Sequence, residues 1–201
     1  MVIGTQILSS HRPIGLCRMS YSCPENAGLF LSLFKYAKLM SRKGCGRTAL
    51  EYCKFLLQLD PSDPLHVLVV IDYYALQSKQ YEFLLRLYSE YEDKCSALPN
   101  FAFSRALAMR KLEMEESKSK HMITFSSTRL LEDAILLYPM ALGPLLEKAT
   151  GVCPTDVEQP FFQAEAPQLT STLLNVFVNR NYALWKTSEV DSYAVNTFLM
   201  V

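Results

Sequence analysis

Apolar residues recur along most of this chain at intervals of three and four, the spacing that places them on one face of an α-helix. Pro24 and Glu25 open the first such run, in which Leu29, Leu33, Tyr36, Ala37 and Met40 form the apolar face. Gly44 and Gly46 then end the helix and turn the chain. The next run, over about 48–59, reads TALEYCKFLLQL and is followed by Pro61. Within it Ala49, Cys53, Leu56 and Pro61 are separated by four, three and five positions. The first three share one helical face. Pro61 lacks an amide hydrogen and restricts the residue before it, so the helix stops there. Two helices joined by a tight turn make a helical hairpin.

The spacing returns: Ser127, Leu131, Ala134 and Pro139 are again four, three and five apart, 78 residues after the first set. Both sets fall in the second helix of a predicted pair. A tetratricopeptide unit has the same spacing there, its small residue letting a neighbouring helix come close. Between the two sets, a third helix is predicted from Pro64, with Asp63 as its cap and Leu65, Leu68, Val69, Asp72, Tyr73 and Leu76 along it. A fourth carries Tyr81, Leu84, Leu85, Leu87, Tyr88 and Tyr91; its small position is taken by Leu84 and no proline closes it, so the signature has degenerated there. Pro99 and Asn100 open a helix over about 101–115, and EMEESKSK (113–120) reads as a solvated helix end and loop.

Past Pro139 a shorter helix is predicted over about 142–149, with Pro144 in its first turn. A long connection follows from Gly151 to Pro167, pinned to the helical body by Phe161 and Phe162, then a helix over about 169–178 and a separate segment NRNYALWK. No segment alternates with period two. The predicted fold is all-α, a right-handed stack of about three to four helical hairpins, that is, a tetratricopeptide-like α-solenoid. The expected organisation is a poorly ordered segment over 1–23, interrupted by Gly4, Pro13 and Gly15, a helical-repeat domain over 24–186 and a tail over 187–201.

Composition narrows the class. Half of the 201 residues are hydrophobic and a fifth are charged, which is globular rather than disordered. The 20 basic and 20 acidic side chains cancel, so the surplus typical of a nucleic-acid binder is missing. No apolar run approaches the roughly 20 residues that span a bilayer. The start, MVIGTQILSSHRPIG, lacks the basic-then-apolar pattern of a secretory signal. Six cysteines without a CxxC pair are expected to be reduced thiols, several of them in the core. These features predict a soluble intracellular protein.

Candidate chemistry is sparse. His11, His66 and His121 are far apart and not spaced for metal. Phosphate-loop, dinucleotide, nucleophile-elbow and zinc-protease motifs are missing. Glu51, Asp60, Asp63 and Asp72 are not distinguished from caps and surface charges. No catalytic residue, metal site or cofactor is expected, and the chain is read as a binding module rather than an enzyme. The four aromatic residues of YEFLLRLYSEYE fit a core stripe better than a peptide groove. Stacked hairpins do form a concave face, lined by the first helix of each unit. By repeat position, its candidate partner-binding residues are Phe34, Lys38 and Arg42, then Leu68, Asp72 and Leu76. They mix apolar, basic and acidic types, so no ligand charge follows.

Five collinear stretches carry a family likeness: GCGRTALEYCKFLLQLDPSDP, IDYYALQSKQYEFLLRLYSEYE, LPNFAFSRALA, YPMALGPLLEKA and LWK. RTALEYCK (47–54) and LPNFAFS (98–104) are the most specific. From about Cys17 to Lys186 the chain resembles the eukaryotic transcription factor 25 family, also called nuclear localised protein 1. Its yeast counterpart is a subunit of the ribosome quality control complex. The resemblance implies a non-catalytic adaptor on the large ribosomal subunit, beside a listerin-type ubiquitin ligase, supporting ubiquitination and clearance of stalled nascent chains. It implies a cytosolic, ribosome-associated location. The alternative it carries is a nuclear transcriptional repressor working through protein contacts. Family members usually have a long charged region, part of it basic, ahead of these helices. This sequence lacks that region and is read as a fragment, partial gene model or short isoform, so direct nucleic-acid binding is expected to be weak at most. No small-molecule substrate and no membrane partner is implied.

Overall fold

The computed structural model of the chain describes residues 18–116, 127–151 and 166–186. They divide into two compact units, within residues 1–78 and 79–201. The described residues form helices and turns, with no strand among them.

The first unit holds α1 (Pro24–Arg42), α2 (Gly46–Leu59) and α3 (Leu68–Gln77). Pro24 sits at the start of α1, where a missing amide hydrogen costs nothing. At the other end the Cys45 N–H donates to the Met40 carbonyl at 2.9 Å and the Gly44 N–H to the Ser41 carbonyl at 3.0 Å. This paired closure needs a left-handed residue, and Gly44 supplies it with φ +80°. α1 packs on α2, and α2 on α3. The inward face expected from the spacing is observed: Ala49, Cys53 and Leu56 are buried, together with Phe30 and Ala37 of α1.

The last carbonyls of α2 are answered by residues distant in sequence. The Met19 N–H donates to the Leu59 carbonyl at 2.9 Å, and the Arg18 guanidinium donates to the Gln58 carbonyl. The Asp60 carboxylate accepts the Tyr21 N–H at 3.0 Å and the Ser62 hydroxyl at 2.6 Å. The Tyr21 ring lies edge-on to Phe30, with centroids 5.5 Å apart. Residues 18–23 are therefore tied to α2, unlike the poorly ordered stretch expected there; 1–17 and 187–201 lie outside the described residues. Asp63 is a cap, as expected, but not for a helix starting at Pro64. Its two carboxylate oxygens accept the N–H groups of Val67 and Leu68 at 2.7 and 3.0 Å. Asp63 and His66 take left-handed φ values of 60° and 51°, which a helix cannot include, so α3 begins only at Leu68. His66 remains exposed in that turn.

The second unit holds α4 (Tyr81–Glu90), the short α5 (Glu92–Cys95), α6 (Pro99–Glu116), α7 (Ser127–Leu137), a 3-10 turn (Pro139–Ala141), α8 (Leu142–Thr150) and α9 (Gln168–Trp185). α4 packs on α6, α6 on α7 and α8 on α9, largely in chain order, as in an α-solenoid. One further contact joins α9 to α6. Phe103 stacks on Phe177 at 5.5 Å and meets Trp185 edge-on at 6.4 Å, and all three are buried. Ser127, Leu131, Ala134 and Pro139 are buried, so the second occurrence of the spacing also marks a core stripe.

Pro144 lies in the first turn of α8, as predicted. α9 is one helix where a shorter helix and a separate segment were expected. The Asn179 and Asn181 side-chain amides donate to the Asn175 and Phe177 carbonyls of their own helix, at 2.7 and 3.2 Å. Both amide nitrogens are met by carbonyls of the same helix, so neither asparagine breaks it. Phe161 and Phe162, predicted to pin the long connection, lie outside the described residues. Among the described residues no disulfide forms, and Cys53 and Cys95 sit in the core.

Candidate partner-binding surfaces

α1 turns Phe30 and Ala37 inward and leaves Leu31, Lys35, Lys38, Leu39 and Arg42 exposed. At 100° per residue these five fall on one continuous face. Leu31 and Leu39 are 42% and 43% exposed, high for leucine on a helix that already buries its other face. Phe34 borders the face, half-buried, with the Lys38 ammonium 4.4 Å from its ring centroid. That cation–π contact holds the lysine along the helix rather than free in solvent.

The charge around this face is one-sided. Between Glu25 and Glu51 the chain carries Lys35, Lys38, Arg42, Lys43 and Arg47 and no carboxylate. All five cations are exposed, and none takes part in an ion pair among the described residues. A chain of zero net charge therefore concentrates positive potential on one hairpin.

The other half of the predicted groove is not open. Leu68, Asp72 and Leu76 are only 2%, 0% and 5% exposed. α3 is apolar on nearly all sides and buries Val70, Ile71, Tyr74 and Ala75 as well. A helix of that kind belongs to a core, not to a concave surface. Phe34, Lys38 and Arg42 thus share an accessible helix side, while the three α3 residues are interior.

The second unit carries a cleft that the spacing did not indicate. It has a volume of about 440 Å³ and lies between α6 and α7. The small side chains of Ala102 and Ala134 leave the space, and Arg105, Asp133, Leu136 and Leu137 line it. Leu136 and Leu137 are 56% and 65% exposed. Arg105 is braced from behind, its guanidinium 3.5 Å from the Tyr88 ring centroid. Beside the cleft the Tyr138 hydroxyl donates to the Ala97 carbonyl at 3.3 Å, and burial pushes its phenol above the usual range. A signal for this cleft was present in AILLYP. Leu136 and Leu137 fall outside the stripe set by Leu131 and Ala134, so they had to face elsewhere.

No group of three His, Cys, Asp or Glu side chains suited to a metal occurs among the described residues. No helix among them is long and apolar enough to cross a membrane. What the two surfaces offer is contact area: exposed leucines with charged side chains beside them.

Comparison with known proteins agrees with this picture. The model of the family described as transcriptional repressor TCF25 matches residues 7–199. The chain is 36% identical over 215 aligned residues to the ribosome quality control complex subunit TCF25 of Dictyostelium discoideum, covering 93% of this chain and 29% of that protein. It is 37% identical over 194 residues to the protein of the same name in Homo sapiens, covering 89% of this chain and 28% of the relative. Ribosome quality control complex subunit 1 of Schizosaccharomyces pombe is 39% identical over 97 residues, 47% of this chain and 15% of the relative. No solved structure matches. The chain spans less than a third of the length of the first two relatives. With the family model covering nearly its whole length, the chain belongs to the TCF25 family.

Proposed function

We propose that this chain is a non-catalytic adaptor of ribosome-associated quality control. It supports ubiquitination and clearance of stalled nascent chains by a listerin-type ligase on the large ribosomal subunit, in the cytosol. The observation that carries the reading is the collinear match to relatives named as ribosome quality control complex subunits, over 89–93% of this chain. The two surfaces fit an adaptor, since each presents contact area and no reactive constellation. Phe34, Lys38 and Arg42 remain candidate contacts; Leu68, Asp72 and Leu76 do not. Contacts to the ribosome run mainly through protein, because net charge is zero and the exposed cations of α1 are interleaved with Leu31 and Leu39, which a phosphate backbone would leave uncovered.

The test is affinity purification of the tagged 201-residue chain from cells with stalled translation, followed by mass spectrometry. Enrichment of large-subunit proteins together with a ubiquitin ligase supports the reading. Their absence, with chromatin factors dominating, overturns it in favour of a nuclear repressor. That second reading draws on the family's printed description as a transcriptional repressor.

A further inference from the structure

We infer that the exposed face of α1 is a docking surface for an acidic amphipathic segment of a partner protein, one that pairs carboxylates with leucine-like side chains. Three observations point there together. The face alternates apolar and cationic positions: Leu31, Lys35, Lys38, Leu39 and Arg42, with Phe34 at its border. Its cations take part in no ion pair among the described residues, and the sequence carries no carboxylate between Glu25 and Glu51. And α1 has already satisfied its packing needs through Phe30 and Ala37, so the exposed leucines are surplus to folding.

Charge complementarity selects the occupant. Bare phosphate backbone would neutralise the cations but leave Leu31 and Leu39 wet, and it gains nothing from apolar contact. A neutral apolar helix would cover the leucines but strip water from three unpaired cations, which costs more than it returns. A segment with carboxylates three and four residues apart and leucines between them answers both demands. Its carboxylates reach Lys35, Lys38 and Arg42 while its apolar side chains lie between Leu31 and Leu39. The Lys38–Phe34 contact, at 4.4 Å, sets one of those cations in place before the partner arrives. The surface stands whether or not the chain serves ribosome quality control, and the two tests fail separately.

The test uses the whole chain and two synthetic peptides of about 15 residues, long enough to hold a helix. One is an amphipathic helix with leucines on one face and glutamates beside them; the other has the same composition in scrambled order. Binding is read by fluorescence anisotropy at near-physiological salt. The amphipathic peptide is expected to bind at least about tenfold more tightly than the scrambled one. Two variants, Lys35→Glu/Lys38→Glu/Arg42→Glu and Leu31→Ser/Leu39→Ser, are each expected to weaken it by about tenfold or more. Every altered residue is exposed, and unchanged far-ultraviolet circular dichroism verifies folding. Equal binding of the two peptides, or no binding, overturns the proposal. So does a single-stranded RNA oligonucleotide that binds more tightly than the peptide and responds to the charge reversals but not to Leu31→Ser/Leu39→Ser.

Discussion

The carboxylate of Glu113 on α6 accepts two hydrogen bonds from Ser127, the first residue of α7: from its backbone N–H at 2.7 Å and from its hydroxyl at 2.6 Å. The first N–H groups of a helix have no partner within it, and here a side chain of the neighbouring helix supplies one. A negative charge at that end also suits the helix dipole. The Arg110 guanidinium, 3.6 Å from the same carboxylate, keeps it oriented. Glu113→Ala is expected to lower stability by about 1–3 kcal/mol, since hydrogen bonds to a charged acceptor are lost from a buried serine. Ser127→Ala removes only the hydroxyl bond and is expected to cost about 0.5–1.5 kcal/mol. In urea unfolding, the double variant should cost clearly less than the two singles added together; additivity within about 0.3 kcal/mol would mean the pair is not coupled.

Leu56 and Leu131 occupy equivalent places in the two occurrences of the four-three-five spacing, and both are buried. Replacing either by alanine leaves a cavity in a packed helix interface. Each variant is expected to lose about 2–5 kcal/mol in chemical denaturation. Leu136→Ala and Leu137→Ala, five and six residues beyond Leu131 but facing outward, are expected to change stability by less than about 0.5 kcal/mol. Similar losses at buried and exposed positions would mean that α7 is rotated from the orientation described.

Asp63 combines a cap with a left-handed backbone. Alanine at that site loses both acceptors for Val67 and Leu68 and suits φ 60° poorly. Asp63→Ala is therefore expected to cost about 1–3 kcal/mol, the sum of a lost cap and backbone strain. Asp63→Asn keeps one acceptor and tolerates the left-handed region, so it should fall well below that. Thermal melts of the two variants rank them, and equal melting temperatures would remove the cap from the account.

Tyr81 links stability to alkaline pH. Its phenol is pushed above the usual 10.0, mainly by burial and secondarily by the Glu115 carboxylate. The unfolded chain therefore loses this proton first as pH rises. Stability is fully present below pH 10.0 and declines as pH climbs through the raised value. Tyr81→Phe is expected to flatten that decline in unfolding experiments above pH 10, and Glu115→Gln to flatten it only in part. An unchanged slope in Tyr81→Phe would place the alkaline sensitivity elsewhere.

Helix positions and the inward faces of α2 and α7 were legible in the sequence, because an amphipathic stripe is a local property. Ala49, Cys53 and Leu56 announce their face by spacing alone, and so do Ser127, Leu131 and Ala134. The cationic run between Glu25 and Glu51 is equally plain in the letters. What could not be read was which nearly all-apolar helix lies inside: Leu68, Asp72 and Leu76 were assigned to an open groove, and they are core. α3 has no weak side from which to choose, so only its packed neighbours decide that question. The polar partners were hidden for another reason. Tyr21 reaches Asp60 across 39 positions and Glu113 reaches Ser127 across 14, and no periodicity encodes a meeting of that kind. Periodicity records how each helix divides water from interior. The folded chain alone determines which carboxylate meets which N–H, because that depends on where separate helices come to rest.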